Sequence, residues 1–383
     1  MIDNRLRIYV ICLAGWALLL SACTVTSDKV EEEEVIPVFP LPPEKPRFVY
    51  EKVIRSSIDV VKEDSTNAFR RFATGEQRKG EGFAKPFDIS VDKGRVFVGD
   101  TVRRVVMVFD PAGTGKYFEI GREEPGRLFL PLGLVQDAAG NLYVCDGTAK
   151  RVTIYDRDGN YLRALGGRKY FKRPSGIAVD PQGKRVYVVD TGGVDTQDHR
   201  VRVFDGKTGE HLFDIGTRGS EEGQFNLPRD AVYSPYNNRL YVVDGGNFRV
   251  QIFDADGKYL GKFGDVGRRT GQFSRPKGIT VDRWGNIYVV DTAFGNVQLF
   301  SPDGKLLMFV GMRGASDKPA HYMLPSGVDS DDDGRMYIVD QFFRKVEVFK
   351  PTPLMGSAEG EPDKAPPAEM SPAVGASKPP GKG

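Results

Sequence analysis

Short hydrophobic runs divided by turn residues recur along most of this chain. The stretch from 273 to 311 shows the pattern best, with GITVD, IYVVD, VQLF and LLMFVG as its four runs. Arg283-Trp284-Gly285-Asn286, residues 292–296 and Pro302-Asp303-Gly304 divide them. Runs of β-branched and aromatic residues bounded by Gly, Asn, Asp and Pro predict strands. Four strands joined by tight turns make one antiparallel meander. Such a unit cannot bury both faces alone, so it must stack on copies of itself. No period of 3.6 residues runs through the chain, which excludes a helical solenoid.

Six copies follow one another. They begin at Phe83, Phe129, Phe171, Phe225, Phe273 and Tyr322, and carry the anchor prolines Pro86, Pro131, Pro174, Pro228, Pro276 and Pro325. Each proline is followed 14–16 residues later by an aspartate: Asp100, Asp146, Asp190, Asp244, Asp291 and Asp340. The sixth copy stops after its third run. A strand from the front of the chain, 47–56 or 67–76, is expected to supply the fourth and close the ring. Closure would remove two open sheet edges.

The pattern P-x-G-I-x-V-D, then G-N-I-Y-V-V-D, then V-Q-L-F-x-x-D-G resembles the NHL repeat, most closely at Pro276–Gly304 and Pro174–Asp205. The resemblance spans roughly 67–350 and implies an all-β fold, a six-bladed β-propeller of four-stranded antiparallel blades. The Gly-His and Trp-Asp dipeptides of WD40 repeats are absent. The fourth copy departs from the pattern, with Asp230 where Gly should follow Pro and Ser-Pro in place of Val-Asp.

The N-terminus reads as an address. Arg5 and Arg7 precede an apolar run from Ile8 to Leu20, too short to span a membrane, and then comes Leu20-Ser21-Ala22-Cys23. This resembles the lipobox of bacterial lipoproteins. It implies a signal peptide over 1–22, a diacylglycerol on Cys23, and a place on the cell envelope. With Thr24 rather than Asp next, the outer membrane is the expected side. Residues 23–46 hold four consecutive glutamates and then five prolines, an extended tether of at most about 75–80 Å. The propeller is assigned to 47–353. Residues 354–383, rich in Pro, Ala, Gly and Lys, form a disordered tail. The remaining cysteine, Cys145, stands where other copies have Val, and is expected to be a small buried hydrophobe.

Composition adds little: a net charge of +2 on 383 residues favours no partner class. The six aspartates read as structural, each accepting backbone N–H groups of the next turn. Arg104, Arg151, Arg200, Arg249 and Lys345 are placed to pair with them. With only His199, His211 and His321, none converging on the axis, no zinc site and no cofactor are expected. The run Asp329-Ser330-Asp331-Asp332-Asp333-Gly334 fits the start of a calcium loop, with Asp329, Asp331 and Asp333 as weak ligand candidates. The twelfth position would be Asp340, about 20 Å away along a strand at roughly 3.3 Å per residue, so an acidic hairpin turn is the better reading.

The loops leading into the blades sum to +7 and open on one face. Arg168, Lys169, Lys172 and Arg173 in one loop and Arg268, Arg269 and Arg275 in another are the candidate binding residues. The expected function is a lipid-anchored binding scaffold, a monomer or a subunit of an envelope complex. Its partner would be an acidic protein, lipid headgroup or glycan rather than nucleic acid. The alternatives are a hydrolase or lyase working in the central channel and an accessory subunit of an envelope redox complex.

Overall fold

The computed structural model describes residues 36–353, apart from 64 and 112–114. The expected signal peptide, lipidated Cys23, most of the tether and the tail lie outside the described residues.

Six antiparallel sheets form the fold, and in five of them the four strands follow chain order. Their inner strands are Pro86–Asp92, Pro131–Gln136, Pro174–Val179, Ala231–Ser234, Pro276–Val281 and Pro325–Ser330. These belong to blades 1 to 6 in turn. The second and third strands of each blade are covered on both sides by neighbouring blades, so Val186–Val189 and Leu240–Val243 read as unbroken buried runs. Outer strands face a neighbour on one side only and alternate: in His211–Ile215 and Tyr259–Phe263, partly buried positions are interleaved with exposed ones.

Six hydrophobic clusters lie between adjacent blades, including one that joins Val339 and Val346 of blade 6 to Ile89 and Val98 of blade 1. The ring is therefore closed. Blade 6 gains its fourth strand from Phe48–Ile54, which pairs antiparallel with Lys345–Pro351, Phe48 opposite Pro351 and Ile54 opposite Val346. Of the two candidates for closure the first is the strand, and Ser65–Thr74 is an α-helix. Val38–Phe39 adds a further short strand on Phe48–Val49, so the sheet begins inside the segment assigned to the tether.

Two repeated devices hold the loops. Each lead-in segment drops one large side chain between blades: Phe83, Leu128, Phe171, Phe225, Phe273 and Tyr322 are all buried. In blade 2 this is Leu128 rather than the Phe129 chosen from sequence. Glycine ends the preceding outer strand because of this ring. A Cβ on Gly216, at φ +75°, would lie 2.4 Å from Phe225. The second device is the aspartate series. All six are fully buried. Asp291 accepts N–H bonds from Ser274 and Arg275 ahead of the blade and from Ala293 and Phe294 in the next turn. Asp100, Asp146 and Asp340 repeat this arrangement.

The expected pairing of each aspartate with a cation holds only for Asp244 and Arg249, at 2.9 Å. Arg151 instead donates to the Pro125 and Arg127 carbonyls, Arg200 pairs with Asp198 and Asp214, and Lys345 pairs with Glu347 and Asp317. With four N–H donors already on the carboxylate there is little left for a cation to satisfy.

Candidate functional site

The inner strands surround a channel, and the residues flanking the anchor prolines form its mouth. At this mouth lies a cavity of about 660 Å³. Around half its circumference, blades 3 to 5 contribute Arg173, Arg229, Arg275 and Lys277. Around the other half, blades 6, 1 and 2 contribute Leu324, Phe87, Leu130 and Leu132. The fold requires the proline and the aspartate but leaves their neighbours free, which is how one ring acquires two unlike halves.

Among the described residues, no hydrogen bond or ion pair to a carboxylate is made by the guanidinium groups of Arg173, Arg229 and Arg275 or by the Lys277 ammonium. Partial burial and the positive charges of Arg173 and Arg275 all lower the pKa of Arg229, which nonetheless remains charged. Lys277 reaches past blade 6 to lie 4.0 Å from the ring centroid of Phe87 on blade 1. Burial lowers its pKa to about 7; nearby Asp88 opposes the shift, while Arg275, Arg229 and Lys85 reinforce it.

Three carboxylates stand deeper. Asp88 and Asp230 occupy the position where blades 2, 3, 5 and 6 have Gly133, Gly176, Gly278 and Gly327. Those glycines are required by closeness: a Cβ on Gly278 would lie 2.4 Å from the Ser326 carbonyl oxygen. The two aspartates tie blade to blade, Asp88 accepting the Leu134 N–H at 2.8 Å and Asp230 the Ile279 N–H at 3.3 Å. Burial raises Asp88 well above the usual carboxylate range, with Asp230 reinforcing it, and raises Asp230 to about 7. Asp329 accepts the Val91 N–H and the Thr280 hydroxyl, and burial raises it to about 6.

The calcium candidates are thereby taken apart. Asp329 belongs to the channel. Asp331 caps its own hairpin, accepting N–H bonds from Asp333 and Arg335 and the Tyr337 hydroxyl, as Asp137 and Asp282 do in theirs. Asp333 is exposed and pairs with Arg335 at 2.7 Å. Among the described residues no three His, Cys, Asp or Glu side chains are grouped to hold a metal. His199 is buried and spent on structure, its Nδ1 accepting the Leu227 N–H and its Nε2 facing the Gly193 carbonyl.

Of the seven cationic binding candidates, Arg173 and Arg275 line the mouth. Arg168, Lys169, Lys172, Arg268 and Arg269 are exposed on the loops and do not line it. Lys169 lies over Tyr170, which packs on Phe204 and His211 toward the outer strand. Arg229 and Lys277 were missed because each follows its proline, inside what reads as strand rather than loop. The signal that would have found Arg229 is the departure of the fourth copy, where Arg229-Asp230 stands where the third and fifth copies have Ser175-Gly176 and Lys277-Gly278.

A family profile described as a 6-bladed beta-propeller matches residues 233–307. The chain is 30% identical over 118 residues to Protein brain tumor of Drosophila melanogaster, which is 30% of this chain and 10% of that protein. It is 27% identical over 172 residues to peptidyl-glycine alpha-amidating monooxygenase A of Xenopus laevis, 42% of this chain and 17% of that protein. RING finger protein nhl-1 of Caenorhabditis elegans is 30% identical over 69 residues, 18% of this chain and 7% of that protein. The chain thus spans under a fifth of the length of each of these relatives.

Among solved structures, a protein of unknown function from Bacteroides thetaiotaomicron matches with a TM-score of 0.57 and 17% identity, over 78% of this chain and 76% of that one. A gluconolactonase from Xanthomonas campestris matches with a TM-score of 0.53 and 17% identity, over 70% and 87%. At such identities structural likeness shows the fold alone. The chain is a six-bladed β-propeller whose repeats are similar to those of NHL-repeat proteins.

Proposed function

We propose that this protein is a lipid-anchored propeller of the bacterial cell envelope that binds an anionic partner at the mouth of its channel. The observation that carries the reading is the convergence of Arg173, Arg229 and Arg275 on one cavity with no carboxylate partner among the described residues. Neighbouring guanidinium groups repel one another, and a bound anion supplies the missing charge with bidentate hydrogen bonds. The ring fixes the backbone positions of all three without ligand, so binding has only the side chains themselves to order. The envelope address rests on Leu20-Ser21-Ala22-Cys23.

The test is calorimetric titration of the full chain with citrate. Binding is expected, and replacing Arg173, Arg229 and Arg275 together by Gln should abolish it, whereas replacing Arg168 and Lys169 should not. Equal binding by the triple variant would defeat the reading.

A second reading, a hydrolase or lyase acting in the channel, draws on one observation. Asp88, Asp230 and Lys277 at the cavity, and Asp329 farther along its inner strand, all have pKa values pulled toward neutrality, as acid–base groups require. Three of them are also blade-to-blade hydrogen-bond acceptors, which accounts for their burial without catalysis.

A further inference from the structure

We infer that the anion held at this mouth is a small amphipathic carboxylate, an acid head carried on an apolar chain or ring. The inference rests on the anion-binding reading above and narrows it to one chemical class.

The size of the cavity selects against a polymer: its volume of about 660 Å³ is that of a small-molecule site.

Two more features select against a purely polar anion. The leucines and Phe87 opposite the arginines offer such a ligand nothing, and hydrating it there leaves their surface in water. Below the rim stand Asp88 and Asp230, which offer an acid group that goes deeper no positive charge. The head is therefore kept at the rim beside Arg229, and the rest of the ligand is directed sideways, over Leu130 and Leu132. Lys277 marks the seam, its stem on the basic half and its ammonium against Phe87. An apolar ligand without a head fails for the opposite reason, since the arginines would lose water and gain no partner.

Each methylene that the apolar half buries should tighten binding about fourfold. The experiment compares acetate, octanoate, octan-1-ol and citrate by calorimetry on the full chain, with the Arg229→Gln and Leu132→Asn variants. Octanoate is expected to bind at least about 50-fold tighter than acetate, which corresponds to three buried methylenes. Arg229→Gln should weaken both acids, while Leu132→Asn should weaken octanoate and leave acetate unchanged. Should Leu132→Asn fold poorly, the exposed Leu324→Asn tests the same point.

Octanoate no tighter than acetate, or octan-1-ol as tight as octanoate, overturns the inference. If citrate and acetate still bind in that case, the anion-binding reading survives without it. If no acid binds at all, both fall together.

Discussion

Replacing Asp230 by Asn should stabilise the protein above neutral pH, an unusual outcome for a buried carboxylate with hydrogen-bond partners. Burial raises this group from 3.8 to about 7. Between those pH values the folded state holds a proton that the unfolded chain has released. Stability contributed by the protonated form is thus complete below pH 4, falls as pH rises, and is gone above about pH 7. A shift of roughly three units is worth at most about 4 kcal/mol, at about 1.4 kcal/mol per unit. Asn keeps an oxygen for the Ala231 N–H, at 2.9 Å from one carboxylate oxygen; toward the Ile279 N–H, at 3.3 Å from the other, it turns an NH2 where the protonated acid turns its OH, and it cannot ionise. Relief of Asp88, which Asp230 pushes further up, adds to the gain.

Urea unfolding at pH 5, 6, 7 and 8 measures the effect. Parent and variant should lie within about 1 kcal/mol of each other at pH 5, and the variant should lead by about 2–4 kcal/mol at pH 8. A difference that does not grow between pH 5 and 8, or a variant less stable at pH 8, would refute the reasoning. The aspartate would then be ionised comfortably in its place.

Asp291→Asn should cost about 2–4 kcal/mol, because an amide NH2 would face two of the four N–H groups the carboxylate now receives; thermal unfolding reads this directly. Exposed Asp333→Asn should stay within about 0.5 kcal/mol by the same measurement. Octanoate affinity should weaken from pH 6 to pH 8, since Lys277 loses its charge near 7 while Asp230 gains one; calorimetry in matched buffers tests this, and a flat profile would count against both assignments. Cys23→Ser should abolish incorporation of labelled palmitate and release the protein from the membrane fraction.

The architecture was legible because it repeats. Pro276 and Asp291 recur in six copies, and each copy confirms the others. The site was legible only in part, because it consists of departures from the repeat. Counting loop charges as far as the proline found Arg173 and Arg275 but stopped one residue short of Arg229 and Lys277. It also credited Arg168, Lys169, Arg268 and Arg269, whose charge is real but whose loops place them away from the mouth. The acidic run at 329–334 misled in the same way, because the strand ends at Ser330 and divides it. Asp329 enters the channel while Asp331 closes a hairpin. Of the two closure candidates, FVYEKVI carries the β-branched alternation and NAFRRFATGE lacks it, so the choice could have been made from composition.

The pairing of Phe48 with Pro351 has a mechanical consequence. Strands alternate in direction, and Asp340, paired with Lys345, lies at the mouth face beside Leu324. Phe48 and Pro351 are at the far end of the same two strands, and the Thr352 N–H still bonds to the Arg47 carbonyl there. The backbone thus arrives and departs on the face opposite the mouth. A pull on either end reaches the closing hydrogen bonds one at a time, as a zipper opens, and leaves the mouth pointing away from the line of force.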